Sequence, residues 1–342
     1  MKRAMVTLCL LGLLAPSAAS ASGGPATPVL GGAGVTASGS PFNYIALAVG
    51  PNTLVEQVRR AGGIVESSSL LTGGFGVPGV TSTGSTTGLS ADGRTLVLTD
   101  LASGYSSIRT RLIVLSTIPA LHVRARLALS GFFTVDAISP TGRWLYFTHY
   151  RSHAGPTDYE IRAYDLMHLR LLAKPVVDPR HPGEKMTGSP VARIMSADGR
   201  WAYTLYQSFS GAPFVHALDT ARRTAFCIDL PKLTALDVSS ATLALSHSAL
   251  QIDTGGTPAA AVDTRTFAVS VPSAVPARPQ IPHPAVTRGS DSGLPWVLGI
   301  GLFTALIALV RVARRRGRIE TRDPRSPIEI DVVSTTDLKP GQ

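Results

Sequence analysis

The sequence predicts an all-β domain outside the cytoplasm, built from repeated four-stranded units and followed by one membrane-spanning helix. Three observations predict it: a hairpin motif that recurs along the chain, an aspartate turn that recurs in three of the units, and a long uncharged apolar segment near the C-terminus. At 342 residues, the chain is long enough for one domain with a full core between its two terminal segments.

The hairpin motif occurs three times in the middle of the chain. The copies LSADGRTLVL, ISPTGRWLYF and MSADGRWAYT begin at Leu89, Ile138 and Met195, so they recur at intervals of 49 and 57 residues. A weaker copy, VSSATLAL, begins at Val238. Each strong copy places a glycine between two apolar runs, and glycine readily takes the positive φ of a tight hairpin. The expected turn residues are Asp92, Gly93, Gly142, Asp198 and Gly199.

A second pattern follows the copies at Ile138, Met195 and Val238, in which an apolar run ends in an aspartate before another apolar run begins. After the copy at Leu89, the corresponding place reads LIVLST. The three aspartates are Asp165, Asp219 and Asp263. Each unit therefore supplies four strands, A to D, with the hairpin turn between A and B and the aspartate between C and D. We interpret the turn aspartates as structural, because such side chains accept hydrogen bonds from nearby backbone amides. One such unit cannot bury both faces alone, which favours the stacked blades of a β-propeller.

The motif Ser-Pro/Ala-Asp/Thr-Gly-Arg, followed by Trp or Leu, resembles the WD40-like, TolB-type and YVTN-type β-propeller repeats of exported bacterial proteins. The resemblance covers roughly residues 85–271 and implies blade architecture without specifying an activity. The first unit (43–84) and the fourth lack the Asp-Gly hairpin, so four, five or six blades are possible. We expect five, with strands Tyr44–Val49 and Ile64–Leu71 closing against C-terminal ones. A two-sheet sandwich is the competing fold, but the regular recurrence argues against it.

The N-terminal segment carries an export signal. Lys2 and Arg3 precede an apolar run that ends in Ala19-Ser20-Ala21, so residues 1–21 are expected to be a signal peptide. Residues 22–41 are small and polar and are expected to form a flexible lead-in. The propeller ectodomain is then expected over residues 42–271.

The C-terminal segment predicts a membrane anchor. The proline-rich residues 272–291 favour an extended stalk. Residues 292–312 contain an uncharged run long enough to span the hydrocarbon core, so the cell membrane is an expected partner. Arginines follow at once, which places the basic tail 313–342 in the cytoplasm and the ectodomain outside. We therefore expect a single-pass protein of the cell membrane.

Charge and cysteine content limit the function classes. The net charge is +10, but half of that excess lies in the signal peptide and the C-terminal segment, where its positive charge has a topological explanation. We therefore predict no nucleic-acid binding. The two cysteines are Cys9, inside the signal peptide, and Cys227, so the exported chain can form no internal disulfide.

Two long loops, 149–159 and 177–185, are the candidate binding surface. In the four-strand scheme both lie at the rim opposite the A–B and C–D turns, and loops on a rigid scaffold are where binding residues concentrate. The candidate binding residues are His149, Arg151, His153, Asp158, Asp178, Arg180, His181 and Lys185. The three histidines with a carboxylate could ligate a metal, but their spacing is weak support, so no metal site and no cofactor is predicted.

The sequence favours a binding or scaffolding module for a protein, a peptide or an envelope glycan. The alternative is a propeller-based hydrolase, lyase or dehydrogenase, but no residue is predicted to be catalytic. The chain lacks the Gly-x-Ser-x-Gly nucleophile motif, and its glycine-rich run GGFGVPG lacks the Lys-Ser/Thr of a phosphate loop. A third possibility is signal relay through the cytoplasmic tail.

Overall fold

The computed structural model describes residues 26–151, 158–234 and 238–271. The expected signal peptide (1–21), stalk (272–291), membrane helix (292–312) and tail (313–342) lie outside the described residues. Within the described ranges, no helix has the length and apolar character needed to cross a membrane.

The described chain forms five antiparallel sheets. Sheet 1 contains β1 (Phe42–Val49), β2 (Asn52–Arg59) and β3 (Val65–Leu71). Sheet 2 contains β4 (Phe75–Gly76), β5 (Thr95–Asp100), β6 (Arg109–Ser116) and β7 (His122–Ser130). Sheet 3 contains β8 (Phe132–Ile138), β9 (Trp144–Tyr150), β10 (Tyr159–Asp165) and β11 (Arg170–Val176). Sheet 4 contains β12 (Gly188–Met195), β13 (Trp201–Ser208), β14 (Phe214–Asp219) and β15 (Thr224–Asp229). Sheet 5 contains β16 (Thr242–Leu245), β17 (Ala249–Thr254), β18 (Thr257–Asp263) and β19 (Val269–Ser270).

Strands follow one another in chain order within every sheet, which confirms the prediction of repeated four-stranded units. The strong motif copies at Ile138 and Met195 connect β8 to β9 and β12 to β13. The weaker copy at Val238 does not form the A–B turn of its unit, contrary to the prediction, because it leads into the first strand of sheet 5 and not into the second. It precedes β16, and the A–B turn of sheet 5 is instead made at Ser246, whose hydroxyl accepts a hydrogen bond from the Ala249 amide.

The sheets stack face to face along the chain, because alternate side chains of a strand point to opposite faces. In sheet 2, Leu96 and Leu98 pack toward sheet 1, whereas Val97 packs toward sheet 3. In sheet 3, Phe147 packs toward sheet 2 and Tyr146 toward sheet 4. Sheet 4 joins sheet 5 in a further core cluster. Each interface buries one apolar face of both sheets, which is the relation that stacked blades require and a two-sheet sandwich does not provide.

The described part of the expected flexible lead-in, residues 26–41, forms backbone hydrogen bonds with its neighbours. Val35 and Tyr44 exchange two backbone hydrogen bonds of 2.9 Å, and the Gly31 amide donates to Ala46. Further upstream, Val29 pairs with Val77 of sheet 2. Residues 31–35 thus run beside β1 without forming a regular strand, and Val35 is buried. The small residues of this segment let backbone approach backbone: a Cβ on Gly34 would lie 2.2 Å from the Tyr44 carbonyl oxygen.

Among the described residues, the N-terminal strands that were expected to close against C-terminal ones do not pair with them. β1 and β3 both pair with β2, so the first three strands form their own sheet. Among the described residues, the buried core clusters join sheets 1 and 2, 2 and 3, 3 and 4, and 4 and 5. The five sheets therefore form a sequential array.

Candidate functional site

Two charged residues of the first predicted rim loop, Arg151 and Asp158, form an ion pair with each other. The Arg151 guanidinium lies 2.5 Å from the Asp158 carboxylate, and both side chains are about two-fifths exposed. His149 stacks on Phe133 with the ring centroids 4.2 Å apart, on the face of sheet 3 that packs toward sheet 2. Burial lowers the pKa of His149, and Glu160 beside it only partly offsets this effect. His153 lies outside the described residues.

The second predicted rim loop crosses to the neighbouring sheet. The Asp178 carboxylate, only 2% exposed, accepts a 2.9 Å hydrogen bond from the backbone amide of Cys227 in β15. Arg180 binds the same carboxylate at 2.6 Å and donates to the Cys227 carbonyl at 2.9 Å. Burial alone would raise the pKa of Asp178, but these hydrogen bonds lower it below its usual value. This pair therefore caps the unpaired outer edge of sheet 4.

The two loops do not converge on one site. The His149 side chain faces sheet 2, whereas Asp178 and Arg180 contact sheet 4 on the other side of sheet 3. His181 and Lys185 are exposed. Over residues 26–151, 158–234 and 238–271, no three His, Cys, Asp or Glu side chains are grouped closely enough to hold a metal ion.

The predicted turn aspartates all accept local hydrogen bonds, and the turn glycines Gly93, Gly142 and Gly199 donate their amides to the carbonyl groups of Ser90, Ser139 and Ser196. Asp92 and Asp198 each bind a serine hydroxyl two residues upstream at 2.5 Å and the amide two residues downstream at 3.0 Å. Asp165, Asp219 and Asp263 accept hydrogen bonds from backbone amides of the C–D turns. The serines of the motif, Ser90, Ser139 and Ser196, also stabilise these turns, a role that was not predicted from the sequence. Each accepts an amide hydrogen bond from the first residue of strand B.

The hairpin turns of sheets 2, 3 and 4 meet at one end of the array. The Asp92 amide donates to the Pro140 carbonyl at 3.0 Å, which ties the first turn to the second. A Cβ on Gly199 would lie 2.5 Å from the Ala91 Cβ, so the third turn touches the first. Gly93, Gly142 and Gly199 have φ of 69°, 69° and 70°. The repeated motif therefore brings three blades together as well as closing three hairpins.

A cavity of about 920 Å³ opens at this turn end, and all five sheets or their connections contribute to it. We call it the axial cavity. Its apolar wall is formed by Leu89, Ile138, Ile194, Met195, Trp201 and Leu245. Its polar groups include Arg60, Asp198, His247 and Arg265. Hydroxyl groups of Thr36, Ser38, Ser246 and Thr264 also line it, so the wall is a mixture of apolar and polar side chains. A concavity of this size lined by both kinds of group has the character of a ligand site.

The axial cavity lies at the end opposite the predicted binding rim. The A–B turns were predicted to lie at this end, but their residues were interpreted only as structural. Strand A is an edge strand of each four-stranded sheet, and β12 of sheet 4 contacts β16 of sheet 5, so the turns that follow these strands lie near one another. Each strong motif copy begins with an apolar residue, Leu89, Ile138 or Met195, and all three line the cavity. These residues are the feature of the sequence that could have indicated the cavity.

A buried charged group between sheets 3 and 4 was also missed. Asp136 of β8 and Arg193 of β12 form an ion pair with side chains 2% and 3% exposed. His216 of β14 is fully buried beside them, and neither ring nitrogen has a hydrogen-bond partner among the described residues. Burial lowers the pKa of His216 to about 4, so its ring is neutral at pH 7. Charged residues spread over distant strands carry no local pattern that reveals such a pair.

The similarity of this chain to known proteins is limited to solved structures of low sequence identity. No family model matches the chain, and no curated protein sequence matches it. Its similar solved structures include TolB from Acinetobacter baumannii, at 14% identity and a TM-score of 0.37, covering 72% of this chain and 54% of TolB. Another is the Cps50 (Swd1) β-propeller domain from Myceliophteria thermophila, at 10% identity and a TM-score of 0.39, covering 68% and 64%. A third is prolyl oligopeptidase B from Galerina marginata, at 13% identity and a TM-score of 0.43, covering 68% and 32%.

The chain spans less than two thirds of each of these three structures. The class of protein is defined by the strand pairing and sheet stacking of this chain itself. It is an all-β protein with a propeller-type repeat fold.

Proposed function

We propose that this protein is a membrane-anchored, extracytoplasmic binding or scaffolding module whose ligand, a protein, a peptide or an envelope glycan, enters the axial cavity. The observation that carries the proposal is a concavity of about 920 Å³ bordered by all five parts of the array. Ligand sites favour such positions, where several rigid elements converge. Export and anchoring rest on the terminal segments of the sequence.

The predicted rim is the weaker binding surface, because most of its charged side chains already have partners. Arg151 is paired with Asp158, and Arg180 with Asp178. A ligand at the rim would have to break these pairs or bind around them. The axial cavity requires no such rearrangement.

Site-specific photocrosslinking in intact cells tests the proposal. A benzophenone amino acid is introduced at Ala197 in the axial cavity, at Lys185 on the rim, or at Ala128 on the outer strand of sheet 2; all three positions are exposed. We expect a crosslinked product from Ala197 and none from Ala128. A product from Lys185 with none from Ala197 would move the binding surface to the rim and contradict the proposal.

A further inference from the structure

Two arginines of the axial cavity are open to a ligand. Within the described ranges, neither Arg60 nor Arg265 takes part in an ion pair, and both are exposed. Asp263, the acid nearest to Arg265 in sequence, is occupied by the Thr266 hydroxyl and by two backbone amides.

The acid in the cavity wall is already engaged. The Asp198 carboxylate accepts the Ser196 hydroxyl and the Arg200 amide, and these hydrogen bonds lower the pKa of Asp198. The cavity thus offers two unpaired guanidinium groups to a ligand against one carboxylate that local groups satisfy. This balance favours an anionic group on the ligand, and arginine binds a carboxylate through paired hydrogen bonds.

Apolar side chains of the wall favour an apolar body next to that anion. Ile194, Met195 and Trp201 of sheet 4 and Leu89 of sheet 2 are partly exposed there, whereas Ile138 is buried in the core between sheets 2 and 3. Hydroxyl groups of Thr36, Ser38, Ser246 and Thr264 line other parts of the cavity. Hydroxyl groups of a sugar placed against the apolar side chains would lose hydrogen bonds to water without replacement. An apolar side chain placed there is stabilised by burial.

Resting on the proposed function, we infer that the axial cavity binds the carboxyl terminus of a peptide or protein whose last side chain is apolar. Arg60 and Arg265 bind the terminal carboxylate, and the aliphatic and indole side chains hold the last residue. Capture of a chain terminus is a recurring mode of peptide recognition. Of the three proposed ligand classes, the inference keeps the peptide and the protein and excludes the envelope glycan.

Two peptides that differ only at the terminus test this. The full-length chain is titrated with fluorescein-labelled Gly-Leu-Phe carrying a free carboxyl group, and with the same peptide as its C-terminal amide, by fluorescence anisotropy. We expect the free acid to bind about tenfold to a hundredfold more tightly, since hydrogen bonds to charged groups are the strong ones. Arg60→Gln and Arg265→Gln should each reduce this preference. Arg94→Gln, an exposed arginine that does not line the cavity, should leave it unchanged.

Equal binding of acid and amide, or binding of neither peptide, would overturn the inference. So would a preference for the acid that persists in both cavity variants. Circular dichroism of the variants shows whether a lost preference reflects lost folding. The result also separates the two claims: a crosslink at Ala197 without acid preference rejects only the ligand class, whereas the absence of that crosslink rejects the proposed function.

Discussion

Gly199 in the hairpin turn of sheet 4 lies directly against Ala91 in the hairpin turn of sheet 2, close enough that a Cβ on Gly199 would approach the Ala91 Cβ to 2.5 Å. The contact joins two blades that are separated by a third in the chain. Glycine is therefore needed at position 199 for two reasons: its backbone has a positive φ, and a side chain there would overlap Ala91.

A comparison of Gly93 with Gly199 separates the effect of backbone conformation from the effect of close packing. Gly93 has the same φ as Gly142 but nothing within 4 Å of its Cβ position. We expect Gly93→Ala to cost about 1 kcal/mol through backbone strain alone. Gly199→Ala should cost about 1–3 kcal/mol more, because the added methyl group overlaps Ala91. Urea unfolding of the full-length variants measures both values, and equal midpoints for Gly93→Ala and Gly199→Ala would refute the turn contact.

Asp178 on the predicted rim should matter for stability. Asp178→Ala removes the acceptor of Arg180 and of the Cys227 amide, so we expect a loss of about 1–3 kcal/mol. Asp158→Ala is the matched control, because its exposed pair with Arg151 should contribute about 1 kcal/mol at most. Thermal unfolding of both variants provides the comparison. If the Asp158 variant proves the less stable of the two, the assigned role of Asp178 is wrong.

His216 should make the protein sensitive to acid. The unfolded chain takes up a proton on this histidine near pH 6.5, whereas burial lowers the folded pKa to about 4. Between these values the unfolded state binds more protons, so stability falls as the pH falls, with a slope of up to about 1.4 kcal/mol per pH unit. His216→Leu should flatten this slope between pH 6.5 and 4.

The measurement for His216 is the free energy of unfolding in urea at a series of pH values. His181→Leu, a substitution of an exposed histidine, serves as control and should keep the wild-type slope. The groups around His216 are Asp136 and Arg193, which pull its pKa in opposite directions, and Asp178 at longer range. An unchanged slope in His216→Leu would show that another group governs the acid response.

The sequence revealed the blades because their turns are local. A glycine at positive φ and an aspartate that accepts the next amides need only four or five consecutive residues, so Gly142 and Asp219 could be placed from the motif alone. Sheet 1 was harder to assign. Residues 31–35 resemble a linker in composition, and only their pairing with Tyr44 and Ala46 shows that they run beside β1.

The candidate site was missed for a different reason. Charged loop residues such as Arg151 and Arg180 stand out in a sequence, but nothing local shows that each is already paired with an acid. The axial cavity depends on contacts between residues far apart in the chain, such as Gly199 and Ala91. Distances between blades decide where a cavity opens, and a linear pattern does not contain them.

The most direct test of the account is the accessibility of one engineered cysteine in the axial cavity. Burial raises the pKa of Cys227 to about 12, so its thiol contributes little to labelling. We predict that Ala197→Cys reacts with a membrane-impermeant maleimide more slowly in intact cells, where the ligand is present, than in the purified chain. Lys185→Cys on the rim should react equally fast in both. Protection of Lys185→Cys without protection of Ala197→Cys would contradict the account.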